Sequence, residues 1–252
     1  MSQRGFHFLP LICLCASSLP ALATTEVQGR VFYSKLDPKE PSFFFNALVT
    51  ETGAKRVAVT TYSDKQNKPL AVEESEFDGE KLVRYELKQL QVNEFGNASL
   101  KDGKVMMTFT SEKKTETDSE TYDPSMIVAS MIGELLQKNF GALMAGEQIK
   151  VRYLALERLE TIGFKFFKDK ERTLNGREVV DILMKPSSFF IAALVSPIRI
   201  TLRKDDPHWI VETDGRTPVR VSEKQPPETR KDWKAIDARV EYDAPRILPV
   251  HP

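Results

Sequence analysis

Cysteine and histidine are scarce in this sequence, charge is almost balanced, and no long apolar run occurs; each of these absences removes a class of protein. Both cysteines, Cys13 and Cys15, fall within the first fifteen residues. Those residues belong to MSQRGFHFLPLICLCASSLPALA, which has the three parts of a secretory leader. Arg4 supplies the positive start, Phe6 to Leu14 the apolar centre, and Ala21-Leu22-Ala23 a small-x-small cleavage site. Lipid attachment needs a small residue before the cysteine, and Ile12 and Leu14 stand there instead. Residues 1–23 are therefore expected to be a signal peptide cleaved near Ala23, and the mature chain to be periplasmic, in a cell with two membranes. Without cysteine that chain has no disulfide and no thiolate site, so it must be held by a packed core.

Removing Arg4 leaves 35 basic against 36 acidic residues, without the basic excess expected of a nucleic-acid binder. The longest apolar run of the mature chain, Phe189 to Val195, is far too short to cross a bilayer, so no transmembrane segment is expected. Beyond the leader only His208 and His251 remain. His208 lies in DDPHW, a turn composition, and no second His or Cys cluster supports a metal there. No G-x-S-x-G elbow, P-loop or G-x-G-x-x-G is present. Glu73, Glu74 and Glu76 in AVEESEFDGE read as the solvent face of a hairpin. No cofactor, no metal and no enzymatic activity are expected, although a hydrolase using paired carboxylates stays open as a third reading.

What is present is a series of strands with tight turns. Asp78-Gly79, Asp102-Gly103, Asn175-Gly176 and Asp214-Gly215 are type I′ hairpin signals, with Thr52-Gly53 a weaker one. Between them apolar residues alternate: Val57, Val59, Thr61; Val83, Tyr85, Leu87; Val105, Met107, Phe109; Ile149, Val151, Tyr153; Ile162, Phe164, Phe166; Ile198, Ile200, Leu202; and Ile236, Ala238, Val240, Tyr242. A parity switch between Leu87 and Leu90 suggests a β-bulge near Lys88-Gln89. Short connections imply a meander that curls to bury its apolar face. One segment breaks the pattern. Residues 124–144 predict a long helix, with Asp123 as N-cap, Pro124 at the first position and Gly146 beyond the end. Its apolar stripe is too wide for a helix lying on a flat sheet, so it is expected in the concave face. The fold class is thus mainly β (α+β), a large curved antiparallel sheet or half-barrel with one long helix packed inside. A single domain over 24–252 is expected, with an exposed loop at 222–232.

The apolar bulk exceeds what a thin sheet needs, and it includes methionines suited to irregular partners. The segment 189–195 is either a short helix or a buried strand, and it is expected to close one end of the barrel. Met131, Leu135, Phe164, Phe166, Phe189, Phe190 and Leu194 are the candidate lining of an apolar cavity. In its order of elements over residues 26–243, and in DILMKPSSFFIAALVSPIRITLRKDDPHWIVETDGRTPVR, the chain resembles bacterial envelope proteins of the outer-membrane lipoprotein-sorting carrier type. That resemblance implies an unclosed barrel covered by helices and an acyl chain or lipid as ligand. The carriers usually have more than one covering helix, and only one is evident here. The competing reading is an envelope protein–protein interaction module with a filled core.

Overall fold

The computed structural model describes residues 23–36, 39–112, 114–192, 196–222, 224 and 232–249. Residues 1–22 of the expected leader and most of the loop expected at 222–232 lie outside these. Strands β1 (Ala23–Phe32), β2 (Phe43–Thr52), β3 (Lys55–Ser63), β4 (Pro69–Asp78), β5 (Lys81–Gln89), β6 (Glu94–Lys101), β7 (Lys104–Ser111) and β8 (Lys114–Thr121) form one ladder of consecutive hairpins. A second ladder comprises β9 (Met126–Ile127), β10 (Ile149–Ala155), β11 (Glu160–Leu174), β12 (Arg177–Pro186), β13 (Ile198–Arg203), β14 (Ile210–Ser222) and β15 (Trp233–Tyr242). The ladders join where β1 pairs with β15, and β16 (Arg246–Leu248) continues that pairing along the start of β1. The result is one large curved sheet, antiparallel except for the two-residue pairing of β9 with β10, and not closed by backbone hydrogen bonds.

Its edges are nevertheless tied at one end. Glu120 on β8 accepts hydrogen bonds from the Thr161 backbone N–H and hydroxyl, both at 2.7 Å, and from Arg152 at 2.6 Å.

The turns follow the sequence in part. Asp102-Gly103 and Asn175-Gly176 both have positive φ at the two central positions, as a type I′ hairpin requires. Asp214-Gly215 is not a turn; it lies inside β14, where a Cβ on Gly215 would meet Ile198 Cγ1 at 2.9 Å. The bulge near Lys88-Gln89 is also absent. The register of β4 with β5 slips earlier, opposite Glu76 and Phe77, and Gln89 stays on the inner face while Leu90 is exposed. On β3 the inner face carries Ala58 and Tyr62, so Val57, Val59 and Thr61 face outward. Alternating β-branched residues mark a strand but not which of its faces is inside.

The inner face is packed in three clusters. One lies between β3–β7 and the segment around Leu154 and Leu156; Leu156 sits so close to Gly96 that a Cβ there would be 2.9 Å away. A second brings Val31, Tyr62, Leu70 and Ala71 against Val219, Ile236, Ala238 and Val240 from the far limb. The third packs Leu136 and Leu143 on Val151, Phe164, Phe166, Val180, Ile182, Ile200 and Leu202. Each fully buried Leu, Ile or Phe there contributes about 1.5–3 kcal/mol by removal from water.

The helix is shorter than the sequence pattern and broken. Asp123 accepts from the Ser125 N–H at 2.7 Å, and Met126 and Ile127 pair with Arg152 and Tyr153, so Pro124 sits in a turn and not at a helix start. A 3-10 turn covers Ala129–Met131, followed by α1 (Ile132–Lys138) and α2 (Phe140–Met144). Asn139 interrupts them, with its side chain donating to the Leu135 carbonyl at 2.8 Å. The far end matches expectation. Gly146, at φ +89°, donates to Leu143, and Glu147 donates to Ala142, the Schellman pattern that a left-handed glycine permits.

Candidate functional site

The helical segment bridges the two limbs of the curve. On the β3–β5 side Glu134 pairs with Arg56, whose guanidinium also lies over the Phe77 ring at 4.3 Å. Lys138 reaches Glu80 at 2.5 Å and Glu134 at 3.0 Å, and the Ser130 hydroxyl donates to Ser75 at 3.0 Å. Burial raises the Glu134 carboxyl, but the hydrogen bonds from Arg56 and Lys138 outweigh it and hold the group below its ordinary value. On the opposite limb the Phe140 ring stacks on His208 at 3.6 Å and 10°. The helix is thus tied by polar groups on one side and by apolar and ring contacts on the other.

Four of the candidate lining residues come together here. Phe164 and Phe166 are buried in the cluster beneath the helix, and Met131 and Leu135 cover them from above while remaining partly exposed. Phe189 does not join them. It opens the short helix α3 (Phe189–Ala192) and is 83 % exposed, because a single helical turn placed after Pro186 points its first side chain away from the sheet. The side chain of Phe190 and all of Leu194 lie outside the described residues. A hollow walled by Leu82, Ala98, Leu100, Val105, Met126 and Leu154 holds only about 10 Å³, one water's worth.

A polar group that the sequence placed in solvent lies inside. Glu73 shares the inner face of β4 with Ala71, Ser75 and Phe77 and is only 8 % exposed, whereas Glu74 and Glu76 face outward beside Arg84. The Tyr85 hydroxyl donates to its Oε2 at 3.2 Å. Burial pushes the Glu73 carboxyl up to about 7, against the pull of that hydrogen bond. Tyr62 of β3 and Tyr85 of β5 stand diagonal to it on the same face, and Tyr153 and Tyr242 lie near enough for its charge to act on them. Burial raises all four phenols, and the Glu73 charge raises them further. Tyr242 reaches about 12, with Thr213 at 3.0 Å from its hydroxyl working in the other direction. The signal for Glu73 was present in the sequence, since it shares strand parity with Phe77, but its charge pointed the other way.

No family model matches the chain, and no curated protein does. Among solved structures it is similar to a beta-barrel-like protein of a domain of unknown function from Brucella abortus, with 10% identity over 92% of this chain and 98% of that one and a TM-score of 0.42. It is also similar to a domain from Vibrio parahaemolyticus named for outer membrane lipoprotein sorting, with 10% identity over 90% of this chain and 85% of that one and a TM-score of 0.26. Both likenesses are weak, and what the chain binds has to be argued from its own residues.

Proposed function

We propose that the chain is an exported, non-catalytic envelope protein that takes an apolar ligand, an acyl chain or lipid, between the helical segment and the inner face of the sheet. One observation carries the reading. Among the described residues, twice as many partly covered apolar side chains pack against the cluster under the helix as against either of the other two clusters. Met131, Ile132 and Leu135 from the helical segment and Ile162, Ile198 and Ile210 from the sheet all pack against this cluster and are only partly covered. Exposed apolar surface of this kind is where a further apolar surface gains most by docking. The helical segment is short and interrupted, and its polar ties to the β3–β5 limb are ion pairs and one hydroxyl contact, so that side can open at modest cost while Leu136 and Leu143 stay packed on the sheet. Methionines 131 and 144 suit a surface that must repack.

Native mass spectrometry of protein extracted gently from its own envelope tests this. A recurring adduct of lipid mass, removed by organic extraction, is the expected result. A bare protein that also takes up no acyl chain when offered one overturns the reading. That outcome would favour an envelope protein–protein interaction module, which draws on the filled interior around Leu136, Leu143 and Phe166.

A further inference from the structure

Glu73 is a buried carboxylate without a counter-charge. No described Lys, Arg or His forms an ion pair with it, and the groups that act on its ionisation are burial and the Tyr85 hydroxyl. Its Oε1 accepts from no described residue, although a carboxylate has about four acceptor positions. The Tyr62 and Tyr153 hydroxyls likewise bond to no described residue, and Tyr62 is only 9 % exposed. None of these three oxygens is among the described atoms sealed from solvent without a partner, so each faces space that water or a ligand group can fill.

The position matters as much as the chemistry. Glu73 lies in register with Thr60 of β3 and Leu87 of β5, and the smaller Ala58, Ala71 and Ser75 lie beside it on the inner face. Ser75 touches Ser130 at the foot of the helical segment. Tyr153 stands edge-on to Phe164 at 6.1 Å, and Phe164 belongs to the cluster beneath that segment. The polar spot therefore adjoins the apolar shelf along one inner surface.

We propose that Glu73, flanked by Tyr62, Tyr85 and Tyr153, is the head-group subsite of the apolar-ligand site, and that it selects an amphiphile with a protonated primary amine over one with a carboxylate. The inference rests on the ligand reading of the preceding subsection. A primary ammonium brings three donors and one positive charge. Glu73 supplies the missing opposite charge, the tyrosine oxygens accept the remaining donors, and the phenol rings favour a cation against their faces. A fatty carboxylate in the same place would set two like charges together in a water-poor interior, which is strongly unfavourable.

Calorimetric titration of the mature full chain with dodecylamine, dodecanol and laurate at about pH 8, where Glu73 is charged, decides the matter. The wild type should bind dodecylamine at least about tenfold more tightly than laurate, the effect of one or two charge-assisted hydrogen bonds. Glu73→Gln keeps the shape and removes the charge, and it should bring the two to within about threefold of each other. A lysophosphatidylethanolamine arm separates two sources of the amine. Binding as tight as dodecylamine assigns a phospholipid head, and weaker binding assigns a free amine; either upholds the preference. Equal binding of all ligands by the wild type, or a preference unchanged in Glu73→Gln, overturns the subsite and leaves the apolar shelf standing. No binding of any ligand removes both.

Discussion

At Glu73 burial and charge oppose each other, and the balance is open to measurement. Its carboxyl is held near 7 in the folded chain against 4.5 for the free side chain. A raised folded value means that the protonated form is favoured by folding. The associated stability is fully present below about pH 4.5 and is lost as the pH rises through 7. The gap corresponds to about 3 kcal/mol at alkaline pH. Glu73→Gln should accordingly melt at a higher temperature than the wild type at about pH 8, with little difference near pH 5. Thermal melts of the two proteins at both pH values check this, and an identical pH dependence would show that Glu73 stays solvated. This residue also marks where sequence reading stops. AVEESEFDGE contains three glutamates, and the pleat puts Glu73 with Phe77, yet what makes its side of the strand the inner one is a set of tyrosines from β3, β5, β10 and β15. Strand parity is local information; the identity of the residues across the interior is not.

Among the elements, the helical segment is the one whose stability can be changed without touching the sheet's ladder. Its apolar stripe was legible, because Leu135, Leu136, Phe140 and Leu143 repeat at helical spacing. Its start was not. An aspartate-proline pair ahead of an apolar run favours a helix on its own, but Met126 and Ile127 find strand partners in β10, more than twenty residues further on, and the turn at Asp123 serves that pairing instead. Arg56→Met removes the guanidinium that holds Glu134 while keeping an apolar stem over Phe77. The Arg56 side chain is largely covered and Glu134 is partly exposed, so a loss of about 1 kcal/mol is expected. Amide exchange across residues 132–144 should quicken, while exchange in β10–β13 should hold. Uniform acceleration throughout the chain would show instead that Arg56 supports the whole fold.

Across the whole molecule the two limbs meet through the apolar cluster around Val31 and Val219 and, beside it, through buried polar contacts. Arg220 on β14 is 7 % exposed and bonds Glu94 of β6, itself fully buried, at 3.1 Å, and Glu157 at 2.8 Å. Gln91 completes the bridge by exchanging hydrogen bonds with the Arg220 backbone at 2.6 and 2.8 Å. Arg220→Met removes a buried guanidinium that Glu94 and Glu157 share and should cost about 3–5 kcal/mol, read as a fall in the denaturant midpoint. A change below about 1 kcal/mol would mean that the other contacts of Glu94, the Ser111 hydroxyl at 2.7 Å among them, satisfy it. Part of the hairpin ladder was readable from the chain because β2–β3, β4–β5, β6–β7 and β11–β12 are each joined by two residues that set the register. The pairing of β1 with β15 was not, since about 200 residues separate the partners and nothing in either strand names the other. That join has a consequence for how the molecule is made. Synthesis and export proceed from the N-terminal side, so β1 has β2 on one flank but must wait for the final strands to cover the other. Until they arrive, Gly29 and its neighbours offer an open row of amides and carbonyls to any nascent copy nearby. Production conditions that slow the last part of translation should therefore be the ones that yield aggregates.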